Sequence, residues 1–340
     1  MKDIARQLGV SVATVSRALH GSPEISAERR KQIVDYARSQ NFLPNAVAQQ
    51  LRQSGRVPSK IVGVIVPELA HYYFMTILKG IDEICASRGY AVMIAESGED
   101  HEREVEACRR FREHRVCGVI VSMAKNSCGV GHFMELIGDG VPLVFYDRIC
   151  TALNTSRVTV DDYRGAFHAV EHLINTGCRK IALYVSPMNL EISKNRFNGY
   201  KDALLQAGLG FDERRVFLCD QRQQAETLTP QVMEGPDRPD AFFCTNDETA
   251  IGTLYTLKRL GYRVPDDVAL CGFTNGEGAI SCDPMLTTVE QRGRELGRQA
   301  AEILLQQAEG TLPANAVERR IVKTRLVIRG TTREGAGVKS

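Results

Sequence analysis

Short apolar runs rich in valine and isoleucine alternate with stretches of helical length along most of the chain. The runs cover residues 60–67, 91–97, 117–123, 142–148, 180–186, 215–220, 240–247 and 267–274. Continuous apolar strands separated by helices are typical of a parallel sheet covered on both faces. Eight such units exceed what one compact sheet usually needs. The pattern therefore predicts an α/β body of two similar, doubly wound subdomains.

The seam between these two lobes is predicted at residues 157–166, where a strand follows a polar stretch without an intervening helix. A strand at 286–291, a helix over 292–307 and two further apolar runs within 317–332 indicate that the chain crosses back between the lobes. The predicted boundaries are as follows: N-lobe 60–158 and 290–318, C-lobe 159–288 and 319–332. Residues 333–340 are predicted to be disordered.

The first 40 residues show a helical period instead. Apolar residues recur at helical spacing up to Gly9, which can end a first helix in the left-handed conformation, and Ser11 can cap a second helix. One face of that second helix is apolar, with Val15, Ala18 and Leu19. Two short helices joined by a tight turn predict a helix-turn-helix unit within residues 1–44, whose second helix enters the DNA major groove. The alternative is a helical hairpin packed on the body.

A third helix is predicted after Ser26, which can cap it, and its apolar residues can cover the first two helices. Pro44 must end the helical run, and Asn45 can cap a further short helix over 46–51. A helix of that length does not persist alone, so it is expected to order only against DNA or a second copy of itself. Residues 45–59 are accordingly predicted to be a hinge helix and linker.

Charge separates the two parts of the chain. The whole sequence has a net charge of only +2, but residues 1–60 contain ten basic and four acidic residues, a net charge of +6, and the remainder has a net charge of −4. A basic head on a mildly acidic body is typical of a polyanion-binding module fused to another domain. A solvated charged face is the alternative, which the helix-turn-helix pattern disfavours.

Ten cysteines all follow residue 84, mostly within apolar runs, and none forms a C-x-x-C pair. Reduced cysteines of this kind act as small hydrophobic residues, which indicates a reducing, cytoplasmic environment. The sequence shows neither a charged-then-apolar leader nor an apolar run of about 18 residues, so no export signal and no membrane association are expected.

The segments KDIARQLGVSVATVSRALHGSPEIS (2–26) and NFLPNAVAQQL (41–51), followed by a two-lobed α/β body, resemble the lactose-repressor (LacI/GalR) family of bacterial transcription regulators. The resemblance covers nearly the whole chain, although the body by itself resembles periplasmic sugar-binding proteins equally well. It implies a cytoplasmic repressor that binds double-stranded DNA at a near-palindromic operator. It also implies a homodimer, with a tetramer as the alternative, and a small sugar-derived effector that controls operator affinity.

The resemblance also implies which residues meet DNA. Base-reading positions in the major groove fall on Val12, Ala13 and Arg17, and positions nearer the phosphates fall on Ser11, Thr14 and Ser16. Arginine can bind guanine O6 and N7 with two hydrogen bonds, whereas valine and alanine can only contact thymine methyls. In the hinge helix the minor-groove contacts fall on Asn45 and Ala48, and the residue that wedges between central base steps is Leu51.

Ligands of doubly wound sheets bind beyond the carboxyl ends of the strands. The family resemblance and this rule together imply nine effector-binding residues: Tyr73, Phe74, Ser122, Asp147, Arg148, Arg196, Asn246, Asp247 and Thr274. Four of them have structural alternatives that the residues alone leave open. Phe74 can belong to the helix core, Arg196 can be a surface helix charge, and Asp147 can pair with Arg148.

Thr274 departs from the family pattern, because many members carry an aspartate there to accept hydrogen bonds from ligand hydroxyls. Loss of that carboxylate beside Arg148, Lys194 and Arg196 predicts a positively charged cleft. The expected effector is then a sugar acid or sugar phosphate rather than a neutral monosaccharide.

An enzyme, or a sugar-binding protein with a fused DNA-binding head, is the competing class. The sequence has no G-x-G-x-x-G after the first strand, no G-x-x-x-x-G-K-[ST] and no G-x-S-x-G. Of seven histidines, His168 and His172 share a helix spacing but lack a nearby cysteine or the H-E-x-x-H glutamate. Neither a catalytic residue, nor a metal, nor a cofactor is therefore predicted.

Overall fold

A computed structural model of the chain describes residues 1–19, 22–40, 59–313 and 315–333. It consists of two compact units, a helical head in Met1–Pro58 and a body in Ser59–Ser340. The predicted hinge residues 45–58 and residues 334–340 of the predicted tail lie outside the described residues. Within the described ranges, no helix combines the length and the apolar character that a bilayer span requires.

Within its described residues 1–19 and 22–40, the head has three helices: α1 (Lys2–Gln7), α2 (Val12–Leu19) and α3 (Ala27–Ser39). Gly9 adopts a φ of +61° after α1, the Ser11 hydroxyl accepts the Thr14 N–H at 3.0 Å, and the Ser26 hydroxyl accepts the Arg29 N–H at 3.4 Å. Six buried side chains form its core, namely Ile4, Ala5, Val15, Ala18, Ile33 and Ala37. The predicted three-helix unit is confirmed.

The body contains strands and helices in the following chain order: β1 (Ile61–Val66), α4 (Tyr72–Ser87), β2 (Ala91–Glu96), α5 (His101–Glu113), β3 (Gly118–Val121), α6 (Gly131–Gly138), β4 (Leu143–Tyr146), β5 (Ser156–Val160), α7 (Asp162–Asn175), β6 (Ile181–Val185), α8 (Glu191–Gln206), β7 (Val216–Leu218), α9 (Arg222–Val232), β8 (Ala241–Cys244), α10 (Asp247–Arg259), β9 (Ala269–Thr274), α11 (Glu277–Ser281), β10 (Thr287–Glu290), α12 (Gly293–Ala308), β11 (Arg319–Val322) and β12 (Arg325–Val327). A 3₁₀ turn at Glu213–Arg215 precedes β7. Every apolar run predicted to be a strand is a strand.

Two six-stranded sheets organise the body, as the two-lobed, doubly wound prediction required. The N-lobe sheet has the order β11-β5-β4-β3-β1-β2 and is parallel throughout. The C-lobe sheet has the order β12-β10-β9-β8-β6-β7, in which only the β10/β12 pair is antiparallel. Helices cover both faces of each sheet, so β3, β4 and β8 are buried along their whole length.

The chain crosses between the lobes three times, after β5, after β10 and between β11 and β12. The strand β11 pairs with β5 in the N-lobe sheet, so the prediction that residues 319–332 all belong to the C-lobe is wrong. The crossing lies at Lys323 and Thr324 instead. Each sheet gains a short edge strand there, and half-exposed edge strands do not carry the continuous apolar pattern that marks a central strand.

Helices α4 and α12 pack closely over one face of the N-lobe sheet through two glycines. A Cβ atom on Gly80 would lie 2.0 Å from the Arg294 carbonyl oxygen, and one on Gly297 would lie 2.1 Å from the Ile77 carbonyl oxygen. Neither position can hold a larger residue without moving a helix. This packing fixes the first turn of α4, where the predicted aromatic effector contacts lie.

Candidate functional site

The helix α2 presents the predicted DNA-reading residues on the face away from the head core. Val12, Ala13 and Arg17 are exposed, and Thr14 and Ser16 are half-buried. The hydroxyls of Ser11 and Thr14 lie 2.9 Å apart and share the helix cap. The helix cap therefore already orients both side chains for any contact with a DNA phosphate.

Arg17 lies beside an acidic residue that the sequence reasoning did not single out. Its Nε atom is 3.4 Å from the Glu24 carboxylate, and both side chains are more than half exposed. An exposed pair of this kind contributes at most about 1 kcal/mol, so Arg17 can leave it readily. The predicted hinge contacts Asn45, Ala48 and Leu51 lie outside the described residues.

In the body, the carboxyl ends of β3 and β4 carry two of the predicted residues. Ser122 and Asp147 are both buried, and Asp147 has a left-handed backbone with a φ of +56°. Left-handed φ is uncommon outside glycine and costs free energy, although aspartate tolerates it better than most residues. The chain therefore turns sharply at the end of β4 and places Arg148 next to the first turn of α4.

Tyr73 and Phe74 occupy that first turn, and both are buried. Phe74 makes an edge-to-face contact with Tyr146, with ring centroids 6.5 Å apart, and the guanidinium carbon of Arg148 lies 5.6 Å from the centre of its ring. Burial, and then the nearby Asp147 carboxylate, raise the pKa of Tyr73 well above its usual value. Phe74 thus packs in the N-lobe core, as the helix-core alternative has it, and also contacts Arg148, while its contact with an effector stays a prediction.

Arg148 pairs with Glu99 rather than with Asp147. Its Nη1 atom lies 2.7 Å from each oxygen of the Glu99 carboxylate. The alternative ion pair between Asp147 and Arg148 is therefore wrong. Glu99 was missed, although it lies only three residues after the end of β2 and the strand-end rule that selected the other residues applies to it equally.

Arg196 is a buried residue of the C-lobe, so the alternative of a surface helix charge is wrong. Its Nε and Nη2 atoms donate to one oxygen of Asp162 at 2.8 and 2.7 Å, and its Nη1 donates to the Thr245 carbonyl at 2.6 Å. Its guanidinium also stacks 3.9 Å from the centre of the Phe273 ring. Burial raises the pKa of Asp162 to about 6, although Arg196 acts in the opposite direction. Asp162 lies just after the point where the chain first passes from the N-lobe to the C-lobe, and no pattern in the sequence marked it as a site residue.

The side chains of Asn246 and Asp247 make their hydrogen bonds within the C-lobe. The side-chain amide oxygen of Asn246 accepts the Thr249 N–H at 2.7 Å and so caps α10. One Asp247 oxygen accepts the Gly276 N–H at 2.8 Å and the other accepts the Thr288 hydroxyl at 2.5 Å. Burial raises the pKa of Asp247. These hydrogen bonds hold the turns that follow β8 and β9, a structural use that the strand-end rule cannot distinguish from ligand contact.

Thr274 lies at the end of β9, half-buried, with a φ of +148°. Its neighbour Asn275 has a φ of +63° and accepts a hydrogen bond of 2.6 Å from Arg329. Arg329 also donates to the Leu286 carbonyl at 2.8 Å, which ties this turn to the strand β10. The turn at Thr274 is therefore fixed by backbone and side-chain contacts within the C-lobe.

Several buried polar atoms near the seam between the lobes have no hydrogen-bond partner among the described residues. They are the hydroxyls of Ser122, Ser193 and Thr245 and the Nε of Arg148. A Cβ atom on Gly276 of the C-lobe would lie 3.5 Å from the Tyr72 ring in the first turn of α4, so the two lobes meet here. Buried polar groups without partners are uncommon and costly, and they indicate a place for a hydrogen-bonding ligand.

The cations of this region do not give it an excess of positive charge. Arg148 is paired with Glu99, Arg196 with Asp162, and Lys194 with Glu191 at 2.7 Å on the outer surface. The predicted positively charged cleft is therefore wrong, because each cation has its own carboxylate. Within the described ranges, no group of three histidine, cysteine, aspartate or glutamate side chains could hold a metal ion.

Comparison with known proteins gives two family matches. Residues 1–45 match the family described as bacterial regulatory proteins, lacI family, and residues 170–332 match the periplasmic binding protein-like domain. The chain is 30% identical to the transcriptional repressor CytR of Escherichia coli K12 over 334 residues, which covers 98% of this chain and 96% of CytR. It is also 30% identical to the ribose operon repressor of Haemophilus influenzae, over 90% of this chain and 91% of that repressor.

Solved structures agree with these relatives. The complex of the transcriptional regulator CelR with cellobiose has a TM-score of 0.73 at 26% identity, and the alignment covers 96% of this chain and 98% of CelR. A LacI family regulator from Enterococcus faecium with bound ribose has a TM-score of 0.70 at 26% identity, over 80% of this chain and 98% of that regulator. Both relatives contain a sugar.

Proposed function

The chain belongs to the LacI family of bacterial regulatory proteins, and we propose that it is a repressor whose effector is an uncharged carbohydrate bound between the two lobes. Its relatives are transcriptional repressors, so it is an effector-controlled, DNA-binding repressor and not an enzyme. The chemical class of the effector is the part that we propose. It is supported by the relatives crystallised with cellobiose and ribose and by the chemistry of the residues at the seam.

The observation that carries the proposal is the set of buried polar atoms without partners. Three of them are hydroxyls, on Ser122, Ser193 and Thr245, and the buried Tyr73 hydroxyl interacts with the Asp147 carboxylate in the same region. A sugar hydroxyl both donates and accepts hydrogen bonds, so a ring with several hydroxyls can satisfy such a mixed set. The Arg148 Nε can donate one hydrogen bond, but Arg148 and Arg196 are each paired with a carboxylate, of Glu99 and Asp162, so a phosphate or carboxylate ligand would meet no arginine charge that is not already balanced.

Titration calorimetry tests the proposal with matched sugars. Neutral D-ribose and cellobiose are compared with ribose 5-phosphate and gluconate at the same ionic strength. We expect one of the neutral sugars to bind most tightly. Preferential binding of either anion would overturn the uncharged effector.

Asp147→Asn removes the carboxylate that would accept a sugar hydroxyl. Loss of one hydrogen bond to a charged acceptor costs about 1.5–3 kcal/mol, so the dissociation constant for the neutral sugar should rise by about 10- to 150-fold. Asp266→Asn is the matched control, because Asp266 is an exposed aspartate that pairs with Arg263 on the surface. Equal affinities of both variants would show that Asp147 does not contact the effector.

DNA recognition is the second part of the proposal. Val12, Ala13 and Arg17 would read bases, Ser11, Thr14 and Ser16 would lie near phosphates, and Asn45, Ala48 and Leu51 would act in the hinge. The exposed face of α2 supports the first of these assignments. Selection of bound sequences from random DNA should enrich a near-palindrome, and an asymmetric site would count against two copies of the head on one operator.

A homodimer follows from that symmetry, with a tetramer as the alternative, and sedimentation with and without operator DNA distinguishes them. Effector and operator affinities must then change each other by the same factor, because binding linkage is reciprocal. A cytoplasmic location is also part of the proposal. It is supported by the DNA-binding relatives and by ten free cysteines, most of them buried.

A further inference from the structure

The loop between β3 and α6 contacts the opposite lobe at two points. The Lys125 ammonium lies 2.7 Å from an Asp220 carboxylate oxygen, and the Asn189 side-chain amide donates to the Lys125 carbonyl at 3.0 Å. Lys125 belongs to the N-lobe, whereas Asn189 and Asp220 belong to the C-lobe. The side chains of Lys125 and Asp220 are 25% and 10% exposed, so water screens this pair less than it screens a surface ion pair.

The loop that carries Lys125 is held rigidly within its own lobe. Glu104 is fully buried, and its two oxygens accept the Ala124 N–H at 2.8 Å and the Ser127 hydroxyl at 2.6 Å. The Glu99 carboxylate accepts the Lys125 N–H at 2.7 Å. Lys125 is therefore fixed at its backbone before it reaches across, which reduces the conformational entropy that a flexible lysine would lose in forming the pair.

The same contacts extend to residues at the seam on both sides. In the N-lobe, Glu99 binds Arg148 as well as the Lys125 backbone. In the C-lobe, the Asp220 carbonyl accepts a hydrogen bond of 3.0 Å from the Asn246 side chain. A continuous polar chain thus runs from the end of β4 to the beginning of α10.

We propose that Lys125, Asn189 and Asp220 form an interlobe clasp that stabilises the closed body and so positions Arg148 and Asn246 around the effector. The clasp contributes its contacts before any ligand binds, so part of the free energy of closure is supplied by the protein itself. Breaking it favours separation of the lobes and weakens effector binding. The effector part of this inference rests on the proposed function, whereas the interlobe contact does not.

Lys125→Met and Asp220→Asn test the clasp, because each removes one charge and keeps most of the side-chain volume. Lys180→Met is the matched control, since Lys180 pairs with Asp237 within the C-lobe alone. The first readout needs no effector. Nitroxides on Cys128, the exposed cysteine of the same loop, and on a cysteine introduced at exposed Leu205 of the C-lobe report the separation of the lobes; their distance should increase in both clasp variants and stay unchanged in the control.

The second readout is calorimetry with D-ribose or cellobiose, whichever the wild-type protein binds. Each clasp variant should weaken binding by about 5- to 30-fold, the range that corresponds to 1–2 kcal/mol. The double variant should be no weaker than either single variant, because both remove one interaction. Lys125→Arg keeps the charge and should restore most of the affinity.

The outcomes separate the two proposals. If the distance between the two labels is unchanged in both clasp variants, or if their effects on affinity add, the clasp is overturned. If the distance increases and affinity falls as expected, the clasp is supported. If neither sugar binds the wild-type protein, the proposed effector class fails while the labels still report on the interlobe contact. An increased distance with unchanged sugar affinity would overturn the positioning of Arg148 and Asn246.

Discussion

The close approach of α4 and α12 gives a sharp prediction for Gly297→Ala. The added methyl group would lie 2.1 Å from the Ile77 carbonyl oxygen and 2.9 Å from its carbonyl carbon. Both atoms belong to the backbone of α4, so the clash cannot be relieved by the rotation of a side chain. The two helices must separate by about 1 Å to reach even the shortest contacts that real Cβ atoms show.

Two opposing contributions set how much Gly297→Ala changes the free energy of unfolding. Forcing extra volume into a well-packed interior typically costs about 1–3 kcal/mol, and a rigid backbone obstacle favours the upper end. Alanine gains about 1 kcal/mol over glycine within a helix. We therefore expect Gly297→Ala to lower the free energy of unfolding of the body by about 2 kcal/mol. Because α4 carries Tyr73 and Phe74 in its first turn, the displacement should also weaken effector binding.

Urea unfolding followed by circular dichroism measures this effect. Gly138→Ala is the control, because a Cβ atom at this helical glycine meets no atom within 4 Å. It should leave stability unchanged or raise it by up to about 1 kcal/mol. A Gly297→Ala protein as stable as the control would refute the reasoning, since it would mean that the helices are not in contact at this position.

Three further predictions concern DNA reading, a buried carboxyl and the cysteines. Arg17→Ala should lose about 1–3 kcal/mol of discrimination at one base pair of each half-site; an equal loss on operator and random DNA, measured by fluorescence anisotropy, would indicate a phosphate contact. Burial raises the pKa of Asp162 to about 6, so the folded protein keeps this carboxyl protonated at pH values where the unfolded chain has already lost the proton. The resulting stabilisation of the fold is present at low pH and is lost as pH rises from about 4 to 6, by about 1.4 kcal/mol per pH unit. Asp162→Asn should remove that component, and parallel pH profiles of unfolding for the two proteins would contradict it. Iodoacetamide at pH 8 should modify exposed Cys128 first, because burial raises the pKa of Cys85 and Cys219 to about 12; mass spectrometry showing equal labelling of all three would contradict this.

The fold followed from the sequence to within a few residues because its signals are local. Apolar runs of strand length, the cap at Ser11 and the turn at Gly9 depend on residues close together in the chain. The error at β11 has the same origin, because a short strand at a sheet edge lacks a strong local pattern. Its lobe is decided by its partner β5, more than 150 residues earlier.

The sequence by itself thus determined the class of the protein: a helix-turn-helix head before a two-lobed α/β body, and the strand ends where polar residues gather. Only the tertiary structure decided which charges pair. Arg148 and Glu99 are 49 residues apart, Arg196 and Asp162 are 34 apart, and Lys125 and Asp220 are 95 apart. Electrostatic interactions depend on distance and burial, which sequence spacing does not fix across such intervals. The two arginines that suggested a basic cleft are each paired with a carboxylate in the folded chain.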